Sequence, residues 1–222
     1  FGYLEAAPSH GMAVGRVRVM SHFPTADNRF DSATPYQIRM FDELTLNLNV
    51  ERSLANSAGI VNWPSSHLEW VRPGIMLYGA TPMIGMSAAA LDLMPVMTLA
   101  SEFIAINQRR KGDAVGYGGD WVCPEDMPVG VVAIGYGDGY PRHAPPGTPV
   151  LVNGVRVPLI GRVSMDMITV DLRDLPDAKV GDSVVLWGAG LPVEEIAALS
   201  GTIAYELLCC VTARVPRIES TV

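Results

Sequence analysis

The chain has 222 residues, 49% of them hydrophobic and 18% charged, with a formal net charge of −7. That is enough for one large domain or two modest ones with a real core, and it excludes a disordered chain. The acidic balance, with no basic cluster longer than Arg109-Arg110-Lys111, excludes a nucleic-acid surface, and no run approaches the ~18 apolar residues of a membrane span.

In chain order, residues 17–21 predict a short β-branched strand. SATPYQIRMFDELTLNL predicts a helix with Thr34 as N-cap, Pro35 at the first helical position and Gln37 three residues after the cap. Its apolar face is expected to carry Tyr36, Met40, Phe41 and Leu44. Residues 52–55 and 70–78 predict two further strands, and this alternation implies parallel pairing through right-handed crossovers. Residues 80–95 are small and marked by Pro and Gly, so they read as a connection.

After Pro95 the pattern changes. Strand-like runs follow at close spacing: VMTLASEFIAI, VGVVAIGY, TPVLV, VRVPLI, MITVDL and SVVLWG. Asn153-Gly154 is a two-residue hairpin signal, and PVEEIAALS predicts one short helix stopped by Gly201. This half reads as an all-β, barrel-like module. The expected division is residues 1–90, part of an α/β sheet, and 91–222, a β domain.

The cysteines are Cys123, Cys209 and Cys210; they form no CxxC and are odd in number. A reducing, cytoplasmic setting is expected, with Cys209-Cys210 as a buried apolar step. The first residues carry no basic region followed by an apolar run and no initiator methionine. The expectation is no signal peptide, and a chain that begins partway through a longer protein.

Ligands of α/β folds bind at strand ends. Those ends place His22, Ser57, Arg72, Gly74 and Ile75. An arginine inside the apolar run VRPGIMLYG needs an acceptor if buried, and is an ordinary solvated flank if not. A serine beside a glycine suits a phosphate, although Ser57 could equally cap a helix. His22 reads as either a hydrogen-bonded structural residue or a site residue. In the β half, VGYGG exposes Tyr117, GYGDGYPRH exposes Tyr136 and Arg142, and GRVSMDM sets Met165-Asp166 at a strand start. Asp138 alone is far short of a calcium shell, so no metal is expected.

SHFPTAD, LANSAG, VRPGIMLYG, VGYGG, GYGDGYPRH, GRVSMDM and TIAYELLCCVTARVPR occur in this order. Together they resemble the bacterial alanine racemases over essentially the whole chain. The resemblance implies a pyridoxal 5′-phosphate (PLP) enzyme whose N-terminal domain is a (β/α)8 barrel, of which this chain holds the last part. The rest would be the C-terminal β domain. It further implies a homodimer with shared active sites acting on a small amino acid, with no nucleic-acid or membrane partner.

By the same resemblance Arg72 hydrogen-bonds the cofactor's pyridine nitrogen. Guanidinium donates without giving up its proton, which leaves the ring a shallow electron sink and limits side reactions. Tyr117 matches the second acid/base and His22 the residue between it and Arg72. His22, Ser57, Arg72, Gly74, Ile75 and Tyr205 match cofactor positions, Met165 and Asp166 substrate positions, and Tyr136 and Arg142 the entrance. The family's Schiff-base lysine has no counterpart here. Lys111 and Lys179, the two lysines of the chain, both precede tight turns and read as exposed. The chain alone is therefore expected to be inactive. A related decarboxylase would place an acidic residue where Arg72 stands. A racemase of broader specificity and a cofactor-binding fragment without turnover stay open.

Overall fold

The computed structural model describes residues 17–219. The chain divides into two compact units between Leu93 and Met94. Among the described residues no helix is long and apolar enough to cross a membrane.

In the first unit, β1 (Arg18–Met20) pairs in parallel with β2 (Glu51–Ser53), in register Arg18↔Glu51 to Met20↔Ser53. Helix α1 (Ala33–Thr45) makes the crossover between them. Its inward stripe is Thr34, Phe41 and Thr45, which are buried, with Ile38 partly buried, a spacing that keeps one helical face. Tyr36 and Leu44 lie off that stripe and are 58% and 71% exposed, which corrects the face expected from the sequence. The cap also differs. Ser32 occupies the N-cap, and the Asp31 carboxylate accepts from the Ala33 amide at 2.7 Å. Thr34 is drawn inside the helix and fully buried. Phe41 packs with Phe23, Leu54, Ala58 and Met83 in the core of this unit.

Helix α2 (Ser57–Asn62) follows β2 directly. The expected third strand over 70–78 does not form. Trp70 makes a single parallel bridge to Ser53, and residues 75–78 wind into a 3-10 turn. Pro73 has no amide to donate, so the ladder stops at Arg72, whose own amide still reaches Ala55 O at 2.9 Å.

The second unit is a closed antiparallel barrel. Its strands are β3 (Leu99–Arg109), β6 (Met127–Val132), β7 (Pro149–Val152), β8 (Val155–Ile160), β9 (Ile168–Asp171) and β10 (Ser183–Trp187), in the order β10-β3-β6-β9-β8-β7. The ring closes through β10 against β7. Alternation along the strands fills the interior: Val150 and Val152, Val157 and Leu159, Ile168 and Val170, and Val184 and Leu186 are each at most 1% exposed. The β7–β8 connection is the expected two-residue turn, with φ of 50° at Asn153 and 81° at Gly154.

A small flap, β4 (Ala114–Val115) with β5 (Trp121–Val122), projects between β3 and β6 in sequence. Helix α3 (Val193–Leu199) ends with Gly201 at φ 70°, where Gly201 N bonds Ala198 O and Thr202 N bonds Ala197 O. Helix α4 (Ala204–Cys210) buries Ala204 and Leu207. Cys209 and Cys210 fall on its other side and are exposed, so they are not the buried step expected.

Candidate active site

In the first unit the chain end of β1, the start of α2 and the segment after Trp70 come together. Arg72 is half-buried and held at four points. Its Nη1 donates to Ser53 Oγ at 2.7 Å, and its Nη2 donates to Ser21 O at 2.8 Å. Nη2 also lies 3.4 Å from Leu54 O and 3.4 Å from His22 Nδ1. Ser53 and the two backbone carbonyls are neutral acceptors. Burial lowers the guanidinium from its ordinary value, and no carboxylate offsets that cost. A cation held this way favours one more acceptor.

His22 is exposed beside it. The guanidinium and the Asn56 amide nitrogen both only donate, so an imidazole between them accepts from one of them at a time. Its Nε2 faces Asn56 Nδ2 at 3.4 Å. The Asn56 amide is turned that way because its oxygen caps α2, accepting from Gly59 N at 2.9 Å. Asn56, and not Ser57, is thus the helix cap. Gln37 from α1 fixes the same strand end, donating to His22 O at 2.8 Å and Ser21 Oγ at 3.2 Å.

Ser57 is buried at the first position of α2, and its Oγ accepts from Gly74 N at 2.8 Å. Its hydroxyl proton is left to donate elsewhere. A Cβ added to Gly74 would stand 3.7 Å from that oxygen, filling the space beside it. Ile75 next to it is buried. A hydroxyl, a side-chain-free glycine and a cation held by neutral acceptors fit a phosphorylated heterocycle with a basic ring nitrogen.

The second unit gathers other expected residues. Tyr117, 67% exposed, stands on the turn between β4 and β5. It lines an open groove of about 380 Å³ with Gly116, Ser164, Met165, Asp166 and Met167. Tyr117, Met165 and Asp166 therefore share one surface. Tyr136 and Arg142 share another, about 400 Å³, with residues of the α3–α4 connection and of α4. Tyr205 lies in the first turn of α4 and is half-exposed. Of the expected relay Tyr117–His22–Arg72, the His22–Arg72 link lies within the first unit; Tyr117 belongs to the second. Lys111 and Lys179 are exposed in turns of the second unit, their amides bonded to Asp126 and Asp182.

Sequence reasoning missed Ser53 and Arg214, and it read Gln37 as a helix-cap partner and Asn56 as a strand end without their contacts to His22. The Arg214 side chain bonds Asp166 Oδ1 at 2.6 Å and lies 3.4 Å from Asp138 Oδ1. These partners come from sequence separations of 15 to 76 residues, and no local pattern marks the contacts.

Residues 96–219 match the family model described as alanine racemase, C-terminal domain, and residues 4–82 match alanine racemase, N-terminal domain. The alanine racemase of Nitrosococcus oceani is 56% identical over 214 residues, covering 96% of this chain and 59% of that protein. That of Vibrio cholerae is 57% identical over 201 residues, covering 90% of this chain and 55% of that protein. Among solved structures, the biosynthetic alanine racemase from Pseudomonas aeruginosa superposes with TM-score 0.92 at 50% identity, covering 99% of this chain and 61% of that one. The alanine racemase from Bartonella henselae with covalently bound pyridoxal phosphate gives 0.84 at 28% identity, covering 98% and 60%. The chain thus spans somewhat over half the length of the relatives it matches. With family models covering both of its units, it belongs to the alanine racemase family.

Proposed function

We propose that the chain is the C-terminal part of a PLP-dependent alanine racemase that interconverts L- and D-alanine by two-base proton transfer. Residues 1–90 would complete a (β/α)8 barrel and residues 91–222 form the C-terminal domain. The observation that carries this is the half-buried Arg72, held beside His22 by neutral acceptors alone and set near the Ser57–Gly74 pair.

When bound, PLP supplies an electron sink that makes the substrate's Cα proton removable. The residues of this chain would then divide the work. Arg72 donates to the ring nitrogen and keeps its proton, so that nitrogen stays unprotonated. Ser57, Gly74, Ile75 and Tyr205 hold the phosphate and pack the cofactor. Met165, with Asp166 beside it, receives the substrate carboxylate, and Tyr136 and Arg142 line the way in.

Tyr117 moves the proton at Cα on one face. A free phenol has a pKa of about 10, so it needs a nearby positive charge to act as a base at neutral pH. The His22–Arg72 pair is the source of that influence. The other face requires the family's lysine, contributed from outside the residues of this chain. Tyr117 would serve the site of a second protomer, in a cytoplasmic homodimer.

The test is reconstitution. The chain is mixed with, or joined to, the lysine-bearing barrel segment of a relative and given L-alanine in D2O. Deuterium entry at Cα together with appearance of D-alanine is expected in the combined protein and absent from the chain alone. Racemisation by the 222-residue chain alone would show that it lacks no required base. The exposed turn positions of Lys111 and Lys179 favour one further reading, that the isolated chain binds PLP without turnover. An absorbance titration that stays free of a lysine-linked band while the cofactor binds supports it.

A further inference from the structure

Asp166 poses an electrostatic problem for the site just proposed. Its carboxylate is next in sequence to Met165, where a substrate carboxylate would arrive, and like charges at such range repel. Asp138 adds a second negative charge within reach of the same turn. Arg214 meets both, through Nη2 to Asp166 Oδ1 at 2.6 Å and through Nε to Asp138 Oδ1 at 3.4 Å.

The surrounding backbone shows that this pairing is built into the turn. Tyr136 N bonds Ser164 O at 3.0 Å, and Gly137 N bonds Met165 O at 2.8 Å. A Cβ on Gly135 would overlap the Ser164 and Met165 carbonyls, and one on Gly137 would overlap the Arg214 guanidinium. Asp138 is itself fixed, accepting from Gly135 N at 2.9 Å. Thr212 N bonds Asp138 O, and Thr212 Oγ1 bonds Gly137 O, both at 3.0 Å, so the segment that carries Arg214 is tied to the same loop. Arg214 and Asp166 are each about half exposed, and an exposed pair contributes little to folding. Its effect is therefore local: it fixes the Asp166 side chain and offsets the charge beside Met165.

We propose that Arg214 is a positioning and specificity-determining residue of the substrate site, bridging Asp138 and Asp166 so that the 164–167 turn can accept an anionic carboxylate. This rests on the reading that Met165 receives the substrate carboxylate. Arg214 touches neither substrate nor cofactor in this role; it acts through Asp166 and the turn.

The experiment uses the reconstituted racemase described above with Arg214→Met, Arg214→Lys, and Arg214→Met combined with Asp166→Asn. Arg214→Met is expected to raise KM for alanine about two- to fivefold while kcat changes less than twofold, the size of one exposed charge interaction. Arg214→Lys should restore most of the loss. The double variant should also recover most of it, because it removes the unpaired carboxylate with the cation. Hydrogen exchange at amides 164–167 should quicken in Arg214→Met and slow again in Arg214→Lys. An unchanged KM in Arg214→Met, or equal losses in the single and double variants, overturns the inference while the racemase reading stands. No turnover by the unsubstituted assembly sinks that reading, and the substrate role with it.

Discussion

Arg72 and Ser53 are joined guanidinium to hydroxyl at 2.7 Å, and Ser53 passes its own proton to Trp70 O at 3.0 Å. The hydroxyl is thereby committed as an acceptor toward the arginine. Hydrogen bonds to charged groups contribute roughly 1.5–3 kcal/mol, and this one sits half-buried. Ser53→Ala should lower the urea-unfolding free energy by about 1–2 kcal/mol and weaken PLP binding severalfold. Ser53→Thr keeps the oxygen and should retain both. Ser53→Ala with unchanged PLP affinity would show that Arg72 needs no such support.

Tyr117 projects from the flap turn into the groove with Met165 and Asp166. If it serves one face of Cα, Tyr117→Phe removes one of two proton carriers. Racemisation in the reconstituted enzyme should fall by roughly a hundredfold to ten-thousandfold. Deuterium exchange should survive for one enantiomer, the one whose proton faces the other base. Following each enantiomer separately by NMR in D2O checks this. Equal loss of exchange from both would speak against a one-face role.

The contrast between the two units explains what was legible in the sequence. All six barrel strands were visible because each alternates in and out of one core, and Asn153-Gly154 announces its turn through local chemistry. The segment 70–78 was misread because an apolar run such as IMLYG fits a strand or a 3-10 turn equally. Pro73 and Gly74 decided between them. Thr34 was misread as a cap because the helix starts one residue earlier, at Ala33, with Ser32 at the N-cap and the Asp31 carboxylate on the Ala33 amide. The site residues were readable as motifs. The supporting contacts of Ser53, Gln37, Asn56 and Arg214 were not, because those contacts exist only once distant segments have folded together.

Gly154 offers a clean test of backbone strain. Its φ is 81°, and a Cβ there would meet nothing within 4 Å. Gly154→Ala therefore adds no clash with the rest of the protein and isolates the cost of placing an L side chain in the left-handed region. That cost is about 1–2 kcal/mol. The expected loss in urea-unfolding free energy is of that size, with the m-value unchanged. A neutral result would mean that the β7–β8 turn relaxes to another type without disturbing the barrel.

Cys123 differs from the other two thiols. It is 1% exposed, packed with Val115, Met127, Val129 and Ile160, whereas Cys209 and Cys210 are exposed. Burial pushes its pKa up, and the nearby Asp113 charge adds to the shift. In the unfolded chain the thiol ionises near its ordinary value of about 8.5. A folded pKa raised above that value gives a stabilising contribution that is complete below about pH 8.5 and is lost as pH rises through the folded value. The stability gap between the wild-type chain and Cys123→Ala should therefore be constant to about pH 8 and narrow above it. In the folded protein, iodoacetamide at pH 8 should label Cys209 and Cys210 and spare Cys123 until denaturant is added. Three thiols reacting together in the native protein would contradict the buried placement of Cys123 and with it the packing of the flap against β6.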